Sequence, residues 1–250
     1  MRVFETAHDH CVLPGLSIVA RLDGRNFTRL TKEAWDFEKP FDVRFRDFMI
    51  ETTRHLMECG FRVVYGYTQS DEISLLLHRD EVAFGRKERK LNSILASEAG
   101  AKFSLLAGAL ATFDCRVCQL PTLEYVRDYF RWRSEDAHRN ALNGHGYWRL
   151  RAEGLSVNAA TKALIGLSVA QKNELLFQRG INFNDLPSWQ KRGSGLYWET
   201  YQKEARNPKT GEAVLATRRR IAVTTDLPMR EAYDAFVEGL VGQSDSRAVG

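Results

Sequence analysis

The sequence predicts an α+β fold whose elements follow the order β-α-β-β-α-β, the ferredoxin-like order. Three observations predict it. Four β-rich runs, "LSIVARLD", "RVVYGY", "EISLLLH" and "ATFDCRVCQL", are bounded by Gly, Pro or acidic turns. Two longer segments between them repeat apolar residues at helical spacing. The four residues "TQSD" join the second run to the third.

The first strand spans 16–23, between Pro14-Gly15 and Gly24. A loop closing at Lys39-Pro40 leads to a helix with Phe41, Phe45, Phe48, Met49, Thr52 and Leu56 on one stripe, stopped by Gly60. Strands 62–67 and 72–78 follow. A helix over about 85–108 buries Leu91, Ile94, Leu95, Phe103 and Leu106, and the small residues of "ILASEAGA" permit close packing. The fourth strand, 111–120, is stopped by Pro121. Residues 1–121 thus form the core. In the second half, 122–151 reads as two helices broken near Asn143-Gly144. "SVNAATKALIGLS" and "SVAQKNELLFQRG" are short helices, each with a capping serine. The stretch 195–223 reads as a hairpin around "NPKTGE". Residues 122–241 are expected to pack on the core as one domain, and 242–250 to form a disordered tail.

The chain has 250 residues, 44% hydrophobic and 27% charged. No stretch approaches the roughly 18 apolar residues of a membrane span. The N-terminus lacks a secretory signal, so a cytoplasmic address with no membrane partner is expected. Net charge is +4, and base clusters in "GRKERK", "YFRWRSEDAHRN", "YWRLR" and "TRRR", several with aromatics interleaved. A phosphate-rich ligand fits this pattern. The pair in "CRVC" lies in a strand, where positions i and i+3 point to opposite faces, and no second CxxC completes a zinc set. "HDHC" at 8–11 is a weak metal candidate in what reads as a frayed terminus.

Two acids carry the functional argument. Asp23 ends the first strand and Asp71 opens the third. In this order the two strands are antiparallel neighbours, so the acids meet at one end of the sheet. Paired carboxylates repel unless a proton or cation sits between them. Mg²⁺ takes such hard oxygen ligands and leaves room for phosphate, and two ions suit phosphoryl chemistry. Gly24 allows its carbonyl to approach a metal. Glu72, expected on the opposite face from Asp71, is a candidate to assist. Backbone amides of Arg25, Asn26 and Phe27 are candidates to cradle a triphosphate. Lys39 is a candidate for terminal phosphates, as are Arg86 and Lys90 at the start of the long helix, whose dipole favours anions.

"RLDGRNF", "EKPFD", "YTQSDEISLLL", "FDCRV", "WRSEDAHRNALN" and "QKNELLF" occur in this order. Together they resemble the tRNA-histidine guanylyltransferase family over about residues 16–200. The resemblance implies a polymerase-palm fold and a nucleotidyltransferase that extends the 5′ end of tRNA in the 3′-to-5′ direction. The 5′ end is first activated with ATP or GTP, and the 3′-OH of an incoming GTP or other NTP then attacks. It implies two Mg²⁺ ions held by Asp23, Gly24 and Asp71, with Glu72 in support. Nucleotide phosphates would lie near Arg25, Asn26, Phe27, Lys39 and Ser70. Arg86, Lys90, Arg116, His138, Asn140, Lys172 and Asn173 would handle nucleotide or tRNA. A homotetramer is also implied. Thr28 stands where many eukaryotic members have His, and "HRNALN" stands for "HINNLYN". In both, the chain is more similar to the repair-type branch, which fills missing 5′ nucleotides by pairing with the opposite strand.

Two rival readings share the element order. A nucleotide cyclase also places an acidic hairpin opposite a first-strand acid, but the basic, aromatic helices of 122–151 favour a large polyanion. A non-catalytic RNA-binding module needs aromatics on the third strand, which here is acidic and aliphatic.

Overall fold

The computed structural model describes residues 1–31, 35–206 and 212–246. Its spine is a sheet of β1 (Ser17–Gly24), β2 (Val63–Gln69), β3 (Glu72–Leu77), β4 (Phe113–Leu120), β5 (Ser194–Arg206) and β6 (Ala213–Thr224). The strands lie in the order β4-β1-β3-β2-β5-β6, and every neighbouring pair is antiparallel. The helices are α1 (Arg2–Thr6), α2 (Phe27–Arg29), α3 (Val43–Glu58), α4 (Glu88–Ala107), α5 (Leu123–Ala152), α6 (Val157–Leu164), α7 (Val169–Phe177), α8 (Ser188–Arg192) and α9 (Glu231–Ser246).

Helices cover both faces of the sheet, which is why "EISLLL" is a continuous apolar run and not an alternating one. On one face, Ala20, Leu22, Ile73 and Leu75 pack with Met49 and Leu56 of α3 and Leu95 and Phe103 of α4. On the other, Val19, Tyr65 and Leu76 pack with Val126 and Phe130 of α5 and Tyr233 and Val237 of α9. Cys115 joins the first cluster and Cys118 the second, as strand alternation requires. Serines 156 and 168 cap α6 and α7, and Gln171 completes a capping box on α7. No helix among the described residues is long and apolar enough to cross a membrane.

Two expectations need correction. The segment 122–151 is one helix of 30 residues, not two. Its buried stripe runs unbroken through Ala137, Ala141, Leu142, His145 and Leu150. Gly146 serves close packing: a Cβ there would lie 3.1 Å from Leu164 of α6. Packing along the whole stripe outweighs the helix cost of two glycines. The expected hairpin forms, and its Ser194–Tyr197 pair with β2 and extend the sheet. The turn residues 207–211 lie outside the described residues. The tail is shorter than expected, since α9 continues to Ser246. Val241 packs against the second core cluster and holds that last part in register; residues 247–250 lie outside the described ones.

"HDHC" is tied down, not frayed. Asp9 accepts ion pairs from Lys87 at 2.6 Å and Arg89 at 2.5 Å, and Cys11 bridges to Lys87. The Arg89 and Lys87 bonds hold the Asp9 carboxyl down at about 2.

Candidate active site

The β1–β3 register sets Asp23 opposite Glu72, and the β1–β4 register sets it opposite Asp114. Asp71 lies one residue before β3, and its carbonyl accepts the Gly24 N–H at 3.0 Å. Four carboxylates therefore gather at one rim of the sheet. Burial pushes the Asp23 carboxyl up, Glu72 and Asp114 push it further, and Arg21 opposes them. Burial pushes Asp71 up to about 6, with the Asp23 charge adding to it. The Ser70 hydroxyl donates to Asp71 Oδ1 at 3.0 Å and opposes that shift.

Neither Asp23 nor Asp71 has an ion-pair partner among the described residues, but Glu72 has two. Arg21 bonds one of its oxygens and buried Arg133 the other. Arg133 also reaches Asp136 at 3.3 Å. Glu72 shares the α5-side face with Asp23, and its charge is already compensated. Gly24 is required sterically: a Cβ there would lie 2.4 Å from the Phe27 ring. No group of three or more His, Cys, Asp or Glu suited to a metal occurs among the described residues. The donor set on offer is two uncompensated carboxylates and backbone oxygen. Such hard oxygen donors fit Mg²⁺, which keeps water or phosphate at its other positions.

Two cavities flank the Ser70–Asp71 turn. The first, about 210 Å³, is lined by Phe37, Lys39, Phe45, Trp148 and Trp189 as well as the turn. The second, about 760 Å³, lies under the part of α5 that overhangs the rim and includes Arg133, Asn140, Tyr147, Thr161 and Lys172. Ser70, Asp71, Phe41 and Trp148 line both. The Lys39 ammonium donates to the Thr31 carbonyl and lies 5.9 Å from the Trp148 ring.

Asp42 fixes the wall between these cavities and α3. Its carboxylate accepts the Arg44 and Glu38 backbone N–H groups, both at 2.7 Å, and the Arg44 guanidinium. The Arg44 side chain, then the backbone donors, hold the carboxyl at about 2 despite burial. A folded value below the unfolded one contributes stability that is complete above the unfolded value and lost as pH falls toward the folded one. Asp42→Ala is expected to cost about 2 kcal/mol at pH 7. In urea titrations the two proteins converge as the pH falls from about 4 toward 2.

Several expected ligand groups lie elsewhere. Arg86 and Lys90 are at the opposite end of the sheet, because α4 starts there and only its C-terminus returns to the rim. The 20 residues of α4 span about 30 Å. Arg86 is buried, and its guanidinium donates to the carbonyls of Val12, Leu16, Arg79 and Glu81, a structural role. Lys90 lies 5.8 Å from the Phe84 ring. The Arg25 N–H is not available to a phosphate, since it donates to Thr112 O at 2.9 Å. Asn26 sits exposed at φ 62 and caps α2. Phe27 is core, packed on Trp35, Phe45, Phe103 and Phe113. Arg116 is exposed on β4 and bonds Asp114 at 3.3 Å. His138 packs on Phe183, and burial with the Lys191, Arg192 and Arg139 charges holds its imidazole down. Asn173 bonds the Val169 carbonyl. Asp114, Arg21 and Arg133 escaped the sequence reading. The first could have been found by placing "FDCRV" in register beside "RLDGR".

Residues 1–121 match the family model for tRNAHis guanylyltransferase, and 124–231 match the model of the Thg1 C-terminal domain. The tRNA(His) guanylyltransferase of Debaryomyces hansenii is 33% identical over 204 residues, covering 76% of this chain and 77% of that one. The chain belongs to the tRNA-histidine guanylyltransferase family. A bacterial tRNA(His) guanylyltransferase-like protein solved in complex with ATP matches it with a TM-score of 0.76 at 29% identity, covering 96% of each chain. A complex with GTP gives 0.72 at 30% identity and the same coverage. Like its family, this chain is a nucleotidyltransferase.

Proposed function

We propose that this chain adds nucleotides to the 5′ end of tRNA in the 3′-to-5′ direction and so repairs truncated 5′ ends. One observation carries the reading: β1–β3 pairing brings Asp23 to the same rim as Asp71, which lines two cavities, and neither acid has an ion-pair partner among the described residues. The first cavity has the aromatic walls and nearby ammonium of Lys39 that suit an activating ATP or GTP. The second, larger and lined with Asn140, Arg133 and Lys172, suits the RNA end and the incoming NTP. The order β4-β1-β3-β2, with α3 and α4 on one face, supports a ferredoxin-like palm.

In the proposed reaction the tRNA 5′-phosphate displaces pyrophosphate from ATP or GTP and becomes a nucleotidylated end. The 3′-OH of the incoming NTP then attacks that 5′-phosphate and releases AMP or GMP. Asp23, Asp71 and the Gly24 carbonyl would hold Mg²⁺. When bound, two such ions activate the attacking hydroxyl and neutralise charge on the leaving oxygen. Arg21 and Arg133 engage both Glu72 oxygens and so hold it away from that role. Ser70 holds Asp71. The family resemblance extends the proposal to a cytoplasmic homotetramer, which light scattering would weigh at four times 28.6 kDa.

The test incubates 5′-truncated and full-length tRNAs with Mg²⁺ and single NTPs and reads products by length. Extension is expected for truncated tRNA with the NTP that pairs with the opposite base. Cyclic product from ATP or GTP alone, without extension, would overturn the reading.

A further inference from the structure

Helix α5 reaches the rim as it crosses the sheet. Its Tyr129 hydroxyl shares a hydrogen bond with Ser74 at 3.0 Å, and its Arg133 bonds Glu72. Ser74 and Glu72 lie on the same face of β3, with Glu72 at the rim opposite Asp23. Trp132 follows Tyr129 by three residues, about 4.5 Å further along the helix, and so stands level with the rim. Residues three apart share a flank of a helix. The Tyr129 phenol neighbours Arg21 of β1 and Cys118 of β4, so this flank faces the β1–β4 side of the sheet. The opposite flank is occupied, since Arg127 and Arg131 pair with Glu238 and Asp234 of α9.

The β1–β4 side is open at this point. Asp114 and Arg116 are both exposed there, opposite Asp23 and Arg21 in register. Of the five tryptophans, all among the described residues, only Trp132 is exposed, at 48%. A single exposed apolar side chain means little by itself. This one is braced. The Arg133 guanidinium lies 4.7 Å from its ring, and the Tyr129 ring stands at 75° to it, 6.0 Å away. Arg133 also lines the larger cavity, so the indole and that cavity share a wall. A rigid, half-open indole beside two acids and a cavity suits a flat aromatic partner. Every nucleobase offers such a face, and stacking on it reads no sequence.

We infer that Trp132 is a stacking platform for the base pair at the 5′ end of the RNA substrate, holding the end of the helix with its 5′-phosphate at Asp23 and Asp71. The inference rests on the reading of tRNA as substrate. It assigns the RNA an approach over the open β1–β4 side, with the larger cavity left to the incoming nucleotide.

The test compares the full chain with Trp132→Phe and Trp132→Leu. Phenylalanine keeps an aromatic face, whereas leucine keeps only apolar bulk, and both suit a half-exposed position. Nucleotide addition to truncated tRNA is followed with each protein, and binding is followed with a tRNA that carries 2-aminopurine in its terminal base pair. In Trp132→Leu, kcat/KM for tRNA is expected to fall by about ten- to a hundredfold, and Trp132→Phe to recover most of it. The KM for NTP and the slope of log affinity against log salt stay as they are, because no phosphate contact is lost. The 2-aminopurine fluorescence is quenched on binding to the unsubstituted protein and stays bright with Trp132→Leu. Equal activity and quenching in all three proteins overturns the platform and leaves the enzymatic reading standing. A loss confined to the KM for NTP also overturns it, because the ring then serves the incoming nucleotide. So does dissociation of the protein in Trp132→Leu by light scattering, since the ring is then a contact between copies of the chain. Failure of the unsubstituted protein to extend any RNA instead sinks the reading on which the platform depends.

Discussion

With Asp23 or Asp71 replaced by Asn, nucleotide addition in Mg²⁺ is expected to fall by at least about a thousandfold, while tRNA affinity stays within about twofold. The first figure corresponds to about 4 kcal/mol of transition-state stabilisation, within the several kcal/mol a metal centre supplies. The second follows because affinity for a polyanion is spread over many phosphate contacts, of which a single acid beside the metal supplies none. Single-turnover rates and filter binding separate the two effects. Unchanged turnover in either variant would refute the assignment of the rim. Asp71→Asn should also make the protein more stable in magnesium-free buffer at pH 7. Burial raises the Asp71 carboxyl to about 6, above its ordinary 3.8. The folded state therefore loses stability as pH rises from about 4 through 6, to a limit of about 3 kcal/mol. Asparagine has no such penalty. The variant is expected to melt several degrees higher at pH 7, and the gap closes by pH 4.

The second large effect concerns Arg133. This buried guanidinium bonds Glu72 and Asp136. Arg133→Met leaves Glu72 with Arg21 alone, beside the Asp23 carboxyl that it already disfavours. Because Glu72 keeps Arg21 and is partly exposed, the cost is expected at about 2 kcal/mol, below the roughly 3–5 kcal/mol of a fully buried pair broken from one side. Adding Glu72→Gln to that variant is expected to recover about half of the loss, a coupling measured by a double-mutant cycle in urea. A single-variant cost below about 1 kcal/mol would show that Arg133 does not hold Glu72. Glu72→Gln alone should weaken Mg²⁺ binding far less than Asp23→Asn, since the carboxylate is already engaged.

Local signals made the strands and helices of the first half legible. β-branched runs, helical stripes and glycine stops are properties of neighbouring residues, and topology then follows from few options. Asp23 and Asp71 were legible because each closes or opens a strand, so their meeting follows once the strand order is known. Glu72 was harder. Its partner Arg133 is 61 residues away, and nothing in "SDEIS" reports that a helix will lie across that face. Arg86 and Lys90 were misplaced for a related reason. A helix start looks the same in sequence at either end of a sheet, and only its direction relative to β3 tells which end it occupies. Phe27 and the Arg25 amide read as phosphate ligands because successive turn amides can form an anion nest. Here the loop turns inward, and Phe27 fills the space that Gly24 leaves. In α5, Asn143-Gly144 suggests a break, but the structure runs one helix through it and uses the nearby Gly146 as a contact point.

The unbroken course of α5 has a mechanical consequence. Its 30 residues form a rod about 45 Å long, anchored at Tyr129 on Ser74 and at Arg133 on Glu72. Asn143, Tyr147 and Trp148 ride on its C-terminal portion, whose other side packs on α6 and α7. Gaining or losing one residue between Arg133 and Asn143 would swing that portion by about 100° and turn these side chains out of their cavity. The spacing of this helix acts as a gauge between the sheet and the chamber beside it, so an inserted residue is expected to be tolerated in the connecting loops but not along that rod.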